Sequence, residues 1–164
     1  MSIRSLALLS CALLWACAAA PSGHTNAPAQ RRFAVLVPSL AEDLFALGAG
    51  KRVIAVSKFT EIAPQSVPRV ADFQSVDTEK IVALHPDAVL GIPAQARLLE
   101  PLRHAGLRVD LVRDDTFDDI FSDIKILGSL AGTDAAARAE VTRLRAETSR
   151  QQSLTKTFTR RPSV

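Results

Sequence analysis

The chain has no tyrosine, and its single tryptophan, Trp15, lies close to the N-terminus. Stacking on nucleic-acid bases would rest on seven phenylalanines alone. The 20 lysines and arginines are dispersed, with doublets only at Arg31-Arg32, Lys51-Arg52 and Arg160-Arg161, so a net charge of +3 makes no nucleic-acid footprint. Both cysteines, Cys11 and Cys17, fall in the first 20 residues, and a mature domain lacking that segment has no internal disulfide. His24, His85 and His104 are scattered without partners at ligand spacing, which argues against a metal site. No glycine-rich phosphate loop follows the first strand, since Pro38-Ser39-Leu40-Ala41 lacks both glycines and a lysine. Ser39 has no His and acidic partners that would make it a nucleophile, and a lone Ser after a strand reads as a helix cap. The paired acids at 114–115 and 118–119 read as caps of a helix start. No catalytic constellation, resident cofactor or metal is expected.

What is present begins with an address. Arg4, an apolar stretch over 6–16 and the small residues Ala18-Ala19-Ala20 have the layout of a secretory signal over 1–20. The apolar stretch falls short of the ~20 residues that cross a bilayer. Leu14-Trp15-Ala16-Cys17 has the layout of a bacterial lipobox that would lipidate Cys17, and plain cleavage after Ala18 or Ala20 is the alternative. Either route delivers the chain to the periplasm or cell envelope. Residues 21–31, rich in Pro, Ser, Gly, Asn and Ala, read as a flexible tether.

At 164 residues, 48% of them hydrophobic and 23% charged, the chain has room for one domain with an ordinary core. R-F-A-V-L-V at 32–37 reads as a strand, Ser39 as the cap of a helix over 42–47 ended by Gly48, and V-I-A-V at 53–56 as a second strand. Short joints between strand, helix and strand are the mark of a parallel sheet. Residues 57–74 read as a long connection holding Pro64 and Pro68. Asp77 and Thr78 cap a helix carrying Glu79 in its first turn, Pro86 stops it at His85, and 88–90 form a third strand ended by Gly91. A helix over 95–105, a fourth strand over 107–112 and a helix begun by Asp114-Asp115-Thr116 follow. That last helix has an apolar stripe of Phe117, Ile120, Phe121, Ile124, Leu127 and Leu130. Thr133-Asp134 caps a long final helix with only a thin stripe, Ala137, Val141 and Leu144, which calls for a partner to lean on. The expected architecture is an α/β lobe over 32–132 with a mostly parallel, Rossmann-like sheet of four strands, a long helix over 133–154 and a polar tail over 155–164.

Ligands of open parallel sheets gather at the carboxyl ends of the strands. Here those ends carry Pro38-Ser39, Ser57-Lys58-Phe59, Gly91-Ile92-Pro93 and Arg113-Asp114, with the Asp72-Phe73-Gln74-Ser75 turn beside them. An exported domain with a polar and aromatic rim and no catalytic set points to a binder. Phe59 and Phe73 read equally as ordinary loop anchors.

Three stretches carry a resemblance: P-S-L-A-E-D-L-F-A-L-G-A-G-K-R-V-I-A-V-S, P-R-V-A-D-F-Q-S-V-D-T-E-K-I-V-A-L-H-P-D-A-V-L and L-L-E-P-L-R-H-A-G-L-R-V. Joined by D-D-T-F-D-D-I-F-S-D-I-K-I-L-G-S-L-A-G, they resemble the N-terminal lobe of the periplasmic solute-binding proteins of iron-siderophore, haem and cobalamin ABC importers. The resemblance implies that the long helix is the one bridging two lobes, and that this chain ends where the second lobe begins. It further implies a metal chelate or corrinoid as ligand, with Ser39, Phe59, Phe73 and Gln74 at the cleft. Glu79 would meet an inner-membrane ABC permease, the protein acting as a monomer. The absence of tyrosine removes the usual phenolate haem ligand of the haem-binding branch and weighs against haem. A truncated solute-binding protein is the reading carried forward. A small hydrolase-like exported enzyme and a non-functional fragment are the alternatives.

Overall fold

A computed structural model describes residues 31–113 and 115–156. The expected signal, Cys17, most of the tether, Asp114 and most of the polar tail lie outside the described residues.

Five strands, not four, make the sheet: β1 Phe33–Val35, β2 Val53–Ser57, β3 Arg69–Ala71, β4 Ala88–Gly91 and β5 Val109–Leu111. They are all parallel, in the order β3-β2-β1-β4-β5. The additional strand, β3, comes from the stretch expected to be a long connection. Val56 pairs with Arg69 and Ser57 with Ala71 across a register shift, a short pairing that strand periodicity does not reveal.

Side chains alternate across the sheet with the period of two that strand geometry dictates. Phe33 and Val35 of β1, with Ala88 and Leu90 of β4, enter one core. Ala34, Leu36 and Val89 enter the other. Helices α1 (Pro38–Ala46), α4 (Phe117–Ala131) and α5 (Asp134–Thr155) supply Leu40, Leu44, Ile124, Leu127 and Val141 to the first. Helices α2 (Thr78–Leu84) and α3 (Glu100–His104) supply Ile81 and Leu102 to the second, where Leu99 joins them. Fully burying a Leu or Ile contributes roughly 1.5–3 kcal/mol. The central strand, buried on both faces, is therefore the most heavily stabilised element.

Local chemistry sets the ends. Asp77 caps α2 by accepting from the Lys80 amide at 3.0 Å. Thr116 and Asp119 form a reciprocal capping box on α4: the Asp119 amide donates to Thr116 Oγ1 at 3.2 Å and the Thr116 amide to Asp119 Oδ2 at 2.8 Å. Two expected caps are not made. Helix α1 starts at Pro38 with Val37 in the cap position, so Ser39 sits inside its first turn. Thr133 precedes α5, yet its buried hydroxyl bonds no partner. The expected stripe of α4 is also narrower: Phe121, Ile124 and Leu127 are buried, whereas Phe117 and Ile120 are exposed. The helix foreseen over 95–105 is broken into a 3-10 turn, Pro93–Gln95, and short α3, because Pro101 stands at its start.

Candidate functional site

In a doubly wound sheet the connections on either side of the first strand leave a crevice at the carboxyl ends, where the strand order reverses. Here that point lies between β1 and β4. Leu36, Val37 and Pro38 leave β1 there, Ser57 and Phe59 leave β2, Asp72 and Phe73 leave β3, and Ile92 and Gln95 follow β4. They line a small hollow of about 80 Å³. Backbone pairing continues to its floor, since the Leu36 amide donates to the Leu90 carbonyl at 2.9 Å. Gly91 closes β4 where a Cβ would meet Leu99 Cδ1 at 2.6 Å and Gln95 Oε1 at 2.9 Å, so a larger residue would displace these two side-chain ends.

Two aromatic rings stand over the hollow. Phe59 and Phe73 stack with centroids 4.3 Å apart and planes inclined by 22°. They remain 46% and 78% exposed. Such a stack is worth about 0.5–1.5 kcal/mol beyond the area it buries. It nevertheless leaves a broad apolar face in water.

Each ring has its own support. The turn presenting Phe59 is tied by buried hydroxyls: Ser57 Oγ lies 3.1 Å from Thr60 Oγ1, and the Phe59 amide donates to Ser57 Oγ at 3.3 Å. The loop beyond is gathered by Arg69, whose guanidinium donates to the carbonyls of Thr60, Ala63, Pro64 and Val67 at 2.6–3.2 Å. The turn presenting Phe73 is built on Asp72. Its Oδ1 accepts from the amides of Gln74 and Ser75 and from the Ser75 hydroxyl, at 3.0, 2.8 and 2.8 Å, while Oδ2 accepts from Lys58 Nζ at 3.0 Å. The Gln74 amide above all, then Lys58 and Ser75, hold the Asp72 carboxyl well below the usual carboxylate range.

The expected site residues are distributed unevenly around this crevice. Phe59 and Phe73 meet over it. Ser39 is exposed in the first turn of α1 and does not line it. Gln74 is exposed in the Asp72 turn, engaged through its backbone, and is not in the lining either. Glu79 stands exposed in the first turn of α2, on the same edge of the sheet. Sequence reasoning missed Asp72 and Lys58 as a linked pair, although Asp followed by amide donors two and three residues later is the signal of an Asx turn. It also missed Gln95. A larger groove of about 440 Å³ runs between Phe117 and the later part of α5, past Glu147, Thr148 and Gln151. Its carboxylate is already engaged, since Glu147 pairs with Arg150 at 2.8 Å.

A doubly wound parallel lobe followed by a long helix has its crevice at the point where strand order reverses, the place where ligands of open α/β sheets bind. Residues 34–164 match the model of the periplasmic binding protein family, and the chain belongs to that family. A vitamin B12-binding protein of Vibrio cholerae serotype O1 is 35% identical over 104 residues, covering 61% of this chain and 37% of that protein. An uncharacterised ABC transporter substrate-binding lipoprotein of Bacillus subtilis is 28% identical over 137 residues, covering 79% of this chain and 43% of that one. Among solved structures, a periplasmic haem-binding protein from Roseiflexus superposes with a TM-score of 0.72 at 23% identity, covering 81% of this chain and 53% of that one. The chain thus spans less than half the length of these two curated relatives. The family is one of binding proteins, not of enzymes.

Proposed function

We propose that this chain is a lobe of an exported ABC-importer substrate-binding protein, capturing a corrinoid or iron chelate and delivering it to an inner-membrane permease. The observation that carries the reading is the exposed Phe59–Phe73 stack over the crevice, a face suited to a flat macrocycle or chelate. The match to a vitamin B12-binding relative supports it. Phe59 and Phe73 make the apolar contact, with Ser39 and Gln74 at the rim as secondary contacts. Glu79, exposed on the same edge, is the charge offered to arginines of the permease. Residues 1–20 act as the export signal and 21–31 as the tether of a monomer released by plain cleavage after Ala18 or Ala20; the alternative is lipidation of Cys17, which would end the signal at Ala16 and anchor the chain to the cell envelope. Residues 32–132 form the binding lobe, 133–154 the bridging helix and 155–164 its polar extension.

The test is calorimetric titration of the full chain with cyanocobalamin, a ferric siderophore panel and hemin. Saturable binding of one of these, weakened about tenfold by Phe73→Ala with the fold unchanged by far-UV circular dichroism, is the expected result. Unaltered affinity in Phe73→Ala would remove the stack from the site. A Glu79→Ala variant is expected to keep that affinity and to lose uptake when the permease is supplied in vesicles.

A further inference from the structure

The two rings are not anchored in either core. Phe73 is 78% exposed and Phe59 46%, and neither belongs to a core cluster. What joins the two turns is polar and lies one residue before each ring. Lys58 precedes Phe59, Asp72 precedes Phe73, and Lys58 Nζ donates to Asp72 Oδ2 at 3.0 Å. A backbone bond runs parallel to it, from the Lys58 amide to the Ala71 carbonyl at 2.8 Å. On the other side the Asp72 turn is closed by an antiparallel bridge between Ala71 and Val76 and by the Asp72 amide bonding the Ser75 carbonyl at 2.9 Å. One oxygen of Asp72 therefore shapes its own turn, and the other ties that turn to the end of β2.

We propose that the Lys58–Asp72 couple is the positioning device of the binding face, clamping the ends of β2 and β3 so that Phe59 and Phe73 stand stacked before ligand arrives. The proposal rests on the crevice being the ligand site. Preorganisation is its physical content. Ordering rotamer-rich side chains at an interface is a cost of binding, and a pair stacked in advance has already met it. An isolated exposed ion pair contributes little to stability, which leaves geometry as the useful product of this one. The lowered affinity of Asp72 for its proton keeps the couple charged from neutral pH well into the acid range.

Lys58→Met removes the tie and leaves both turns intact. Asp72→Asn keeps an acceptor for the Gln74 and Ser75 amides and removes the charge. Each variant, in the full chain, is titrated with hemin and with cyanocobalamin, and the phenylalanine fine structure in near-UV circular dichroism is recorded without ligand. With no tyrosine in the chain and Trp15 common to all variants, difference spectra isolate the phenylalanines. Expected are a loss of fine-structure intensity and about fivefold weaker binding in both variants, with Lys58→Arg restoring both readouts. Wild-type affinity and spectrum in Lys58→Met would overturn the proposal. If the wild-type chain binds neither probe, the crevice reading fails separately. The unliganded spectra then decide: loss in Lys58→Met with recovery in Lys58→Arg upholds the clamp, and unchanged spectra refute it.

Discussion

At the scale of single residues, two positions carry an internal conflict. His85 closes α2 at φ +49°, the one non-glycine residue among those described with positive φ. The proline that follows it disfavours the right-handed helical region, and His85 ends the helix in the left-handed one with its amide bonded to the Val82 carbonyl, at a steric cost that glycine does not bear. His85→Gly is expected to raise stability by about 0.5–1 kcal/mol in urea denaturation, the relief exceeding the added freedom of the unfolded chain. Asp43 is the second. Burial first, then the carboxylates of Glu42 and Glu140, push its pKa from 3.8 up to about 6. Because the folded value lies above the unfolded one, the protonated form is favoured in the fold. Its contribution is complete below pH 3.8 and is lost as pH rises through about 6. Two units correspond to about 3 kcal/mol, cut by partial exposure to about 1–2. Asp43→Asn is therefore expected to stabilise the protein at pH values above that range and to have little effect in acid below it, as read by denaturation at both. Neither conflict was fully legible beforehand. Pro86 announced a turn at His85 but not its handedness, and nothing in the sequence brings Glu140 beside Asp43.

Elements were legible where periodicity ran long and illegible where it was cut short. Helix α4 was visible from Phe121, Ile124 and Leu127 at three-residue spacing, and α2 from its Asp77 cap. Strand β3 was hidden because it has three residues, begins with a charged one and follows Pro68. It exists because Arg69 faces the loop behind it, where four carbonyls converge on one guanidinium. A lysine offers a point charge instead of a planar fork. Arg69→Lys should therefore loosen residues 60–67, seen as faster proteolytic nicking of that loop with the helices unaffected. The α4–α5 contact was equally unreadable. A Cβ on Gly128 would meet the Ala137 Cβ at 2.4 Å. Gly128→Ala gains about 1 kcal/mol of helix propensity, but overpacking two atoms that cannot rotate away costs about 1–3 kcal/mol. A net loss of stability in thermal denaturation is expected, against the usual sign of a Gly→Ala change in a helix.

For the molecule as a whole, the expectation of a parallel α/β lobe with a thinly apolar last helix holds. Of α5 only Ala137 and Val141 are buried, both in its first half. The second half reaches α4 through Arg145, 4.9 Å over the Phe121 ring, and carries a local ion pair between Arg150 and Glu147; exposed contacts of this kind contribute little. Amides of residues 146–155 are expected to exchange with deuterium at least about tenfold faster than those of Ile124 and Leu127, and more so at high salt. The order of the sheet has a further consequence, for the way the protein comes into being. β1 lies in the middle, β2 and then β3 are added on one side, β4 and then β5 on the other. Every strand after β1 pairs with one that precedes it in the chain: β2 with β1, β3 with β2, β4 with β1 and β5 with β4. Assembly can therefore proceed outward from the first strand in the order of synthesis, each later strand of the sheet finding its mate already made.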